Sequence, residues 1–131
     1  MRKAVKKTIL IIEDEVSQRK ALSEKLEREG FAILQAGNGE EGLRISLEKH
    51  PDIILLDIVM PKMDGMSMMK KLREENDWGK KVPIIILTNI IAADDKMITR
   101  LAEDEPSYYL IKSDWTIDEV TKKIQERLTR K

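Results

Sequence analysis

Short apolar runs that stop abruptly at polar residues set the rhythm of this chain. Thr8–Ile12 is apolar and β-branched and stops at Glu13-Asp14-Glu15. Ile53–Leu56, entered through Pro51-Asp52, stops at Asp57. Ile84–Leu87 stops at Thr88-Asn89, and Tyr108–Ile111 stops at Lys112. Unbroken runs this short suit strands buried on both faces better than half-exposed ones. Phe31–Ala36 is a weaker strand, expected nearer a sheet edge. Between these runs the apolar residues recur at helical spacing. Val16–Glu29 carries Leu22 and Leu26 on one face, with Gly30 placed as a C-terminal cap. Asn38, followed by Glu41, predicts a helix start; Leu43 and Leu47 give its stripe, and it ends before His50-Pro51. Met66–Asn76 predicts a third helix through Met68, Met69 and Leu72, and Gly79 and Pro83 bracket the connection to the next strand. Ala92–Glu103, rich in acids and closed by Pro106, predicts a fourth helix. Thr116–Leu128 predicts the last, with Thr116 and Glu119 as a capping box and Ile117, Val120, Ile124 and Leu128 along one face.

Strands that alternate with helices five times, joined by connections too long for hairpins, call for a parallel sheet covered by helices on both faces. The right-handed crossover rule leaves few arrangements. The expected fold is α/β, a flavodoxin-like (βα)5 three-layer sandwich with strand order 2-1-3-4-5, which sets strands 1 and 3 side by side at the switch point. At 131 residues the chain is expected to form one domain over residues 1–131, with residues 1–7 as a basic tail.

Composition removes several function classes. Lys plus Arg and Asp plus Glu number 24 each, and this zero net charge argues against direct nucleic-acid binding. Cysteine is absent, which excludes disulfides and thiolate metal sites and points to a cytoplasmic setting. After the basic start Arg2, Lys3, Lys6 and Lys7, the apolar run Ile9–Ile12 is too short for a signal peptide, and no run approaches the ~20 residues of a membrane span. His50, the single histidine, carries no partner signature and is read as non-functional. The methionines Met60, Met63, Met66, Met68 and Met69 are read as core filler rather than an adaptable binding surface.

In the expected topology the ends of strands 1, 3, 4 and 5 converge on one crevice, bringing together Glu13, Asp14, Asp57, Thr88 and Lys112. Each alone has an ordinary explanation: an acid that starts a turn, a threonine that caps, a lysine at a solvated edge. Together they make a chemical set. Three carboxylates this close repel one another unless a cation sits among them, and hard oxygens with no His or Cys suit Mg²⁺. Lys112 offers a point charge and Thr88 a hydrogen-bond donor to a phosphoryl group. Asp57, ending the central strand, is placed to be the nucleophile of an in-line displacement, with the metal neutralising charge on both partners.

From Thr8 to Leu128 the sequence closely resembles the receiver domains of bacterial two-component response regulators. The resemblance rests on the acidic pair Glu13-Asp14, on Leu55-Leu56-Asp57 followed by Met60-Pro61 and Met63-Asp64-Gly65, on Thr88 after an isoleucine-rich strand, and on Tyr109 three residues before Lys112. It implies a phospho-accepting signalling domain whose only chemistry is its own phosphorylation and dephosphorylation. Asp57 would take a phosphoryl group from a histidine kinase or histidine phosphotransfer protein. Asp14, Asp57 and the carbonyl of Val59 would hold Mg²⁺, with Glu13 acting through water. Thr88 would move onto the phosphoryl group and Tyr109 would change rotamer, reshaping the face of the fourth helix, fifth strand and last helix for a downstream protein target. The resemblance leaves open a monomer or a phosphorylation-dependent dimer. Only Thr129, Arg130 and Lys131 follow Leu128, which fits a stand-alone receiver or one cut from a larger regulator.

Some residues depart from the family pattern. Ser113 stands where a cis proline is usual, and because a cis bond before a non-proline costs ~2.5–4 kcal/mol the Lys112–Ser113 bond is expected to be trans. Asn89 replaces a small residue, and Glu105-Pro106 replaces a glycine-containing turn. Val59 and Ile90, at the positions that tune attack by water, are apolar, which predicts a slowly hydrolysing phosphoform. Rival readings are weaker. An aspartate-nucleophile phosphatase needs a second Asp where Val59 stands. A nucleotide- or flavin-binding module needs a glycine- or hydroxyl-rich loop where Glu13-Asp14-Glu15 stands. An unphosphorylated docking module would have no use for the complete set of catalytic residue types.

Overall fold

The apolar runs become five parallel strands. The computed structural model describes residues 6–57, 65–88, 108–111 and 116–129, and for Thr88 and Tyr108–Ile111 it describes the backbone alone. The strands are β1 (Thr8–Ile12), β2 (Ala32–Ala36), β3 (Ile53–Asp57), β4 (Ile84–Thr88) and β5 (Tyr108–Ile111). They form one sheet in the order β2-β1-β3-β4-β5, every neighbouring pair parallel, which is the flavodoxin-like arrangement expected. The weakest run, β2, lies on an edge, as expected.

The described helices are α1 (Val16–Arg28), α2 (Gly39–Lys49), α3 (Gly65–Glu75), α4 (Asp77–Lys81) and α5 (Ile117–Thr129). None is long and apolar enough to cross a membrane. Local chemistry accounts for their ends. Glu15 caps α1 by accepting the Ser17 and Gln18 N–H groups, and Gly30 follows with φ 101°, a conformation glycine adopts freely. Asn38 Oδ1 accepts the Glu41 N–H at 2.9 Å to open α2. Thr116 Oγ1 accepts the Glu119 N–H at 3.2 Å and donates to Glu119 Oε1 at 3.3 Å, so of the expected capping box of α5 the first bond is made and the return is to the hydroxyl rather than to the backbone. The helix expected at Ala92–Glu103 lies outside the described residues.

Alternation along the strands divides the core in two. Ile9, Ile11, Ile53, Leu55, Ile85 and Leu87 pack with Leu22 and Leu26 of α1 and with Val120 and Ile124 of α5. Leu10, Ile12, Ile54, Leu56, Ile84 and Ile86 pack with Met66, Met68, Met69 and Leu72 of α3. These three methionines are core filler, as read; Met60 and Met63 lie outside the described residues.

Two local features depart from the periodicity. In α2, Leu43 and Leu47 are only half-buried, and the buried positions are Gly39, Gly42 and Ser46. Small residues let the helix axis approach the sheet more closely than a leucine stripe would. The connection between Gly79 and Pro83 also contains structure that periodicity did not reveal. Asn76 caps the single turn α4 by accepting the Gly79 N–H at 2.7 Å, and Arg73 Nη1 donates to the carbonyls of Gly79 (2.8 Å) and Val82 (2.7 Å). A helix this short leaves no apolar repeat to detect. His50 ends α2 in the left-handed region (φ 45°) and stacks on Trp78, ring centroids 4.2 Å apart and planes within 8°.

Candidate functional site

Register brings the acids together. Ile12 lies opposite Leu56, so Glu13, the first residue after β1, comes beside Asp57, the last of β3. The Glu13 N–H donates to the Ala36 carbonyl at 3.0 Å, extending the β1–β2 ladder by one rung beyond β1. Glu13 and Asp57 are nearly enclosed, 2% and 5% exposed, while Asp14 faces solvent. One carboxylate oxygen from each of Glu13, Asp14 and Asp57 lies within 4.8 Å of the others. Unit charges at that spacing repel by on the order of 3 kcal/mol per pair at an effective dielectric near 20. A cation among the three would offset that repulsion.

The donor set fits a hard divalent ion. Among the described residues it offers carboxylate oxygens and no nitrogen or sulfur, the ligand type of Mg²⁺ rather than of zinc or copper. Asp14 faces solvent, which suits an ion that keeps several waters. Glu15, the third acid of the run, is occupied elsewhere: its carboxylate caps α1.

The loop that carries these acids is tied down by hydrogen bonds. Glu13 Oε1 accepts the Glu15 N–H at 3.2 Å. Arg19 Nη1 donates to the Glu13 carbonyl at 2.7 Å, and Arg19 Nε donates to Gln35 Oε1 at 3.2 Å. Neither Arg19 nor Gln35 is marked by the apolar pattern or by any motif; the available signal was a basic residue in the second turn of a helix that begins directly after an acidic loop.

The other expected residues are placed only in part. Thr88 ends β4 opposite Ile111, next to Leu87, which lies opposite Asp57; its side chain is outside the described residues. Tyr109 lies in β5 opposite Ile86, again with its side chain outside them. Val59, Asn89, Ile90, Glu105, Pro106, Lys112 and Ser113 lie outside them altogether, and with them the isomer of the Lys112–Ser113 bond. His50 precedes β3, so it sits at the amino end of the sheet, away from the acids.

A doubly wound parallel sheet with an acid cluster at its carboxyl edge defines a class, and the sequence places the chain within it. Residues 9–125 match the response regulator receiver domain family, and the chain belongs to that family. It is 39% identical over 92 residues to the probable transcriptional regulator ycf27 of Cyanophora paradoxa, covering 70% of this chain and 37% of that protein. It is 45% identical over 80 residues to the transcriptional regulatory protein SrrA of Staphylococcus aureus, covering 61% of this chain and 32% of that protein. The chain thus spans about a third of the length of these curated relatives. Among solved structures, a Francisella response regulator receiver domain superposes with TM-score 0.83 at 27% identity, over 95% of this chain and 98% of that one. The signal receiver domain of a histidine kinase from Syntrophus aciditrophicus gives TM-score 0.83 at 28% identity, over 94% and 90% of the two chains. A CheY-like receiver domain protein from Methanospirillum hungatei shares the fold at TM-score 0.85 and 23% identity, over 95% and 94%.

Proposed function

We propose that this receiver domain accepts a phosphoryl group on Asp57 in a Mg²⁺-dependent reaction, the donor being a phosphohistidine of a histidine kinase or phosphotransfer protein. The observation that carries the reading is the enclosed Asp57 at the end of the central strand, gathered with Glu13 and Asp14 within 4.8 Å. A carboxylate oxygen of Asp57 forms a bond to phosphorus while the phosphorus–nitrogen bond of the donor breaks, its electron pair returning to the imidazole. Asp14, Asp57 and the carbonyl of Val59 would hold the ion directly and Glu13 through water. The ion, when bound, supplies the positive charge that lets an anionic carboxylate approach an anionic phosphoryl group.

Thr88 and Lys112 complete the set in this reading. Thr88 ends the strand next to β3 and donates a hydrogen bond to the phosphoryl oxygens. Lys112 follows the strand after that and offers its ammonium to the same oxygens. Thr88 and Tyr109 would carry the change to the surface read by a downstream protein, as a shift in population between two packings. The domain works in the cytoplasm as a regulatory acceptor without turnover on other substrates. It acts as a single domain over residues 1–131, monomeric or dimerising on phosphorylation. The relatives' names place whole regulators at transcription. The zero net charge of this chain favours protein contact, not nucleic acid, as the receiver's own output. Apolar Val59 and Ile90 favour a long-lived phosphoform.

The test is intact-protein mass spectrometry after incubation with acetyl phosphate and Mg²⁺, comparing wild type with Asp57→Asn. One added phosphoryl group in the wild type, absent from Asp57→Asn and absent after chelation, is the expected result. Labelling that survives in Asp57→Asn would sink the assignment. Loss of the label within seconds would instead refute only the long lifetime.

A further inference from the structure

The acid loop is held by a residue outside every motif. Arg19, half-buried in the second turn of α1, reaches back across the carboxyl ends of β1 and β2. Its Nη1 meets the Glu13 carbonyl at 2.7 Å and its Nε meets the Gln35 side chain at 3.2 Å. On the other side, the Glu13 N–H is fixed to the Ala36 carbonyl at 3.0 Å. Gly37 leaves room for the guanidinium, since a Cβ there would lie 3.3 Å from Nη1. A guanidinium is a planar fork that stays protonated, so it can hold two acceptors at a set separation. Here they are the peptide that leads into Asp14 and a side chain of the edge strand.

We propose that Arg19 is a positioning residue for the divalent-cation site. By gripping the Glu13 carbonyl it sets the direction in which the Glu13–Asp14 peptide leaves β1, and with it the place of both carboxylates relative to Asp57. This rests on reading the acid cluster as a Mg²⁺ site.

Charge and geometry make opposite demands at Arg19, which makes the role testable. A fixed positive charge near a cation site repels the cation, so neutralising Arg19 would tighten Mg²⁺ binding if charge were its only contribution. If Arg19 aims the acids, the same change weakens binding.

The experiment is calorimetric titration of Mg²⁺ into wild type, Arg19→Met, Arg19→Lys and Arg73→Met, with far-UV circular dichroism to verify that each is folded. Arg73 also donates to two backbone carbonyls, on the short turn α4, so Arg73→Met measures the effect of losing such bonds away from the acids. The expected result is about tenfold weaker Mg²⁺ binding in Arg19→Met, the usual scale for removing a partner that orients a ligand. Arg19→Lys should fall between that value and wild type, since an ammonium keeps the charge and one donor but loses the fork. Arg73→Met should match wild type. Equal or tighter binding in Arg19→Met overturns the inference while leaving the cluster a metal site. If Arg19→Met fails to fold, wild-type affinity in Arg19→Lys overturns it. Absence of Mg²⁺ binding by the wild type overturns the reading of the cluster and the inference together.

Discussion

A methyl group placed on Gly42 measures how closely α2 is seated on the sheet. A Cβ there would lie 2.5 Å from Ile12 Cδ1, 2.9 Å from Cγ1 and 3.2 Å from Cγ2. Ordinary carbon contacts are ~3.5–4.0 Å. Ile12 is 1% exposed at the end of β1, and close packing gives a displaced side chain little room. Two effects oppose each other in Gly42→Ala. Replacing glycine inside a helix stabilises by about 1 kcal/mol. Overpacking costs about 1–3 kcal/mol, and crowding three atoms of one enclosed side chain places this site toward the top of that range. The net expectation is a loss of about 1–2 kcal/mol. For a domain of this size that is a fall of roughly 4–8 °C in Tm. The cause can be isolated with Ile12→Val, which removes Cδ1, the nearest atom. Alone it should cost about 1 kcal/mol as a small cavity. In the Gly42→Ala background it should cost nothing or restore stability, a coupling of about 1 kcal/mol. Urea unfolding of the four proteins, followed by circular dichroism, gives the cycle. A Gly42→Ala protein as stable as wild type, or a double mutant whose losses simply add, would refute the close seating of α2.

Other outcomes are set by single residues. Ser46 Oγ is buried with no hydrogen-bond partner among the described residues, so Ser46→Ala should be neutral or stabilising by up to about 1 kcal/mol in urea unfolding; a loss of that size would show that the hydroxyl is satisfied in solution. His50 combines left-handed backbone with its stack on Trp78, and both His50→Ala and His50→Gly lose the stack. Only alanine keeps the left-handed penalty, so His50→Ala should be the less stable of the two by about 1 kcal/mol, and equal stabilities would argue against that backbone conformation. Lys25 has its pKa raised above the ordinary 10.5, chiefly by the hydrogen bonds it donates to Asp118 and Glu29. A raised lysine contributes stability that is complete below 10.5 and lost as pH climbs through the raised value. Any stability difference between wild type and Asp118→Asn near neutral pH should therefore vanish in strongly alkaline buffer. A difference that persists there would mean that Asp118 acts through something other than Lys25.

Much of the architecture was legible because apolar runs are the dominant local signal. Ile53–Leu56 and Ile84–Leu87 sit in the middle of the sheet, where both faces are covered, so their position in the fold is written directly in their composition. The crossover rule then left little freedom in strand order. The acid cluster was legible for a related reason: Glu13 directly follows β1 and Asp57 ends the adjacent β3, and register alone brings them together. Less visible were the features that depend on small residues or on one polar side chain. The buried face of α2 consists of Gly39, Gly42 and Ser46, which no hydrophobic count detects. The turn α4 is held by Asn76 and Arg73, and the acid loop by Arg19, through hydrogen bonds to backbone carbonyls or amides that leave no periodic trace.

The two halves of the core are assembled from different parts of the chain, and this bears on the order of folding. One side of the sheet is closed by α2 and α3, the helices before and after β3 in the chain, so their contacts with Ile54 and Leu56 join segments close in sequence. The other is closed by α1 and α5, from opposite ends of the chain, tied where Lys25 meets Asp118 at 3.2 Å. Contacts between distant segments must overcome more chain entropy before they contribute stability. The side covered by α2 and α3 should therefore condense first, and the docking of α5 onto α1 should follow. The same inequality applies in reverse to the folded protein: amide hydrogens of α5 should exchange through openings of lower free energy than those of β1 and β3.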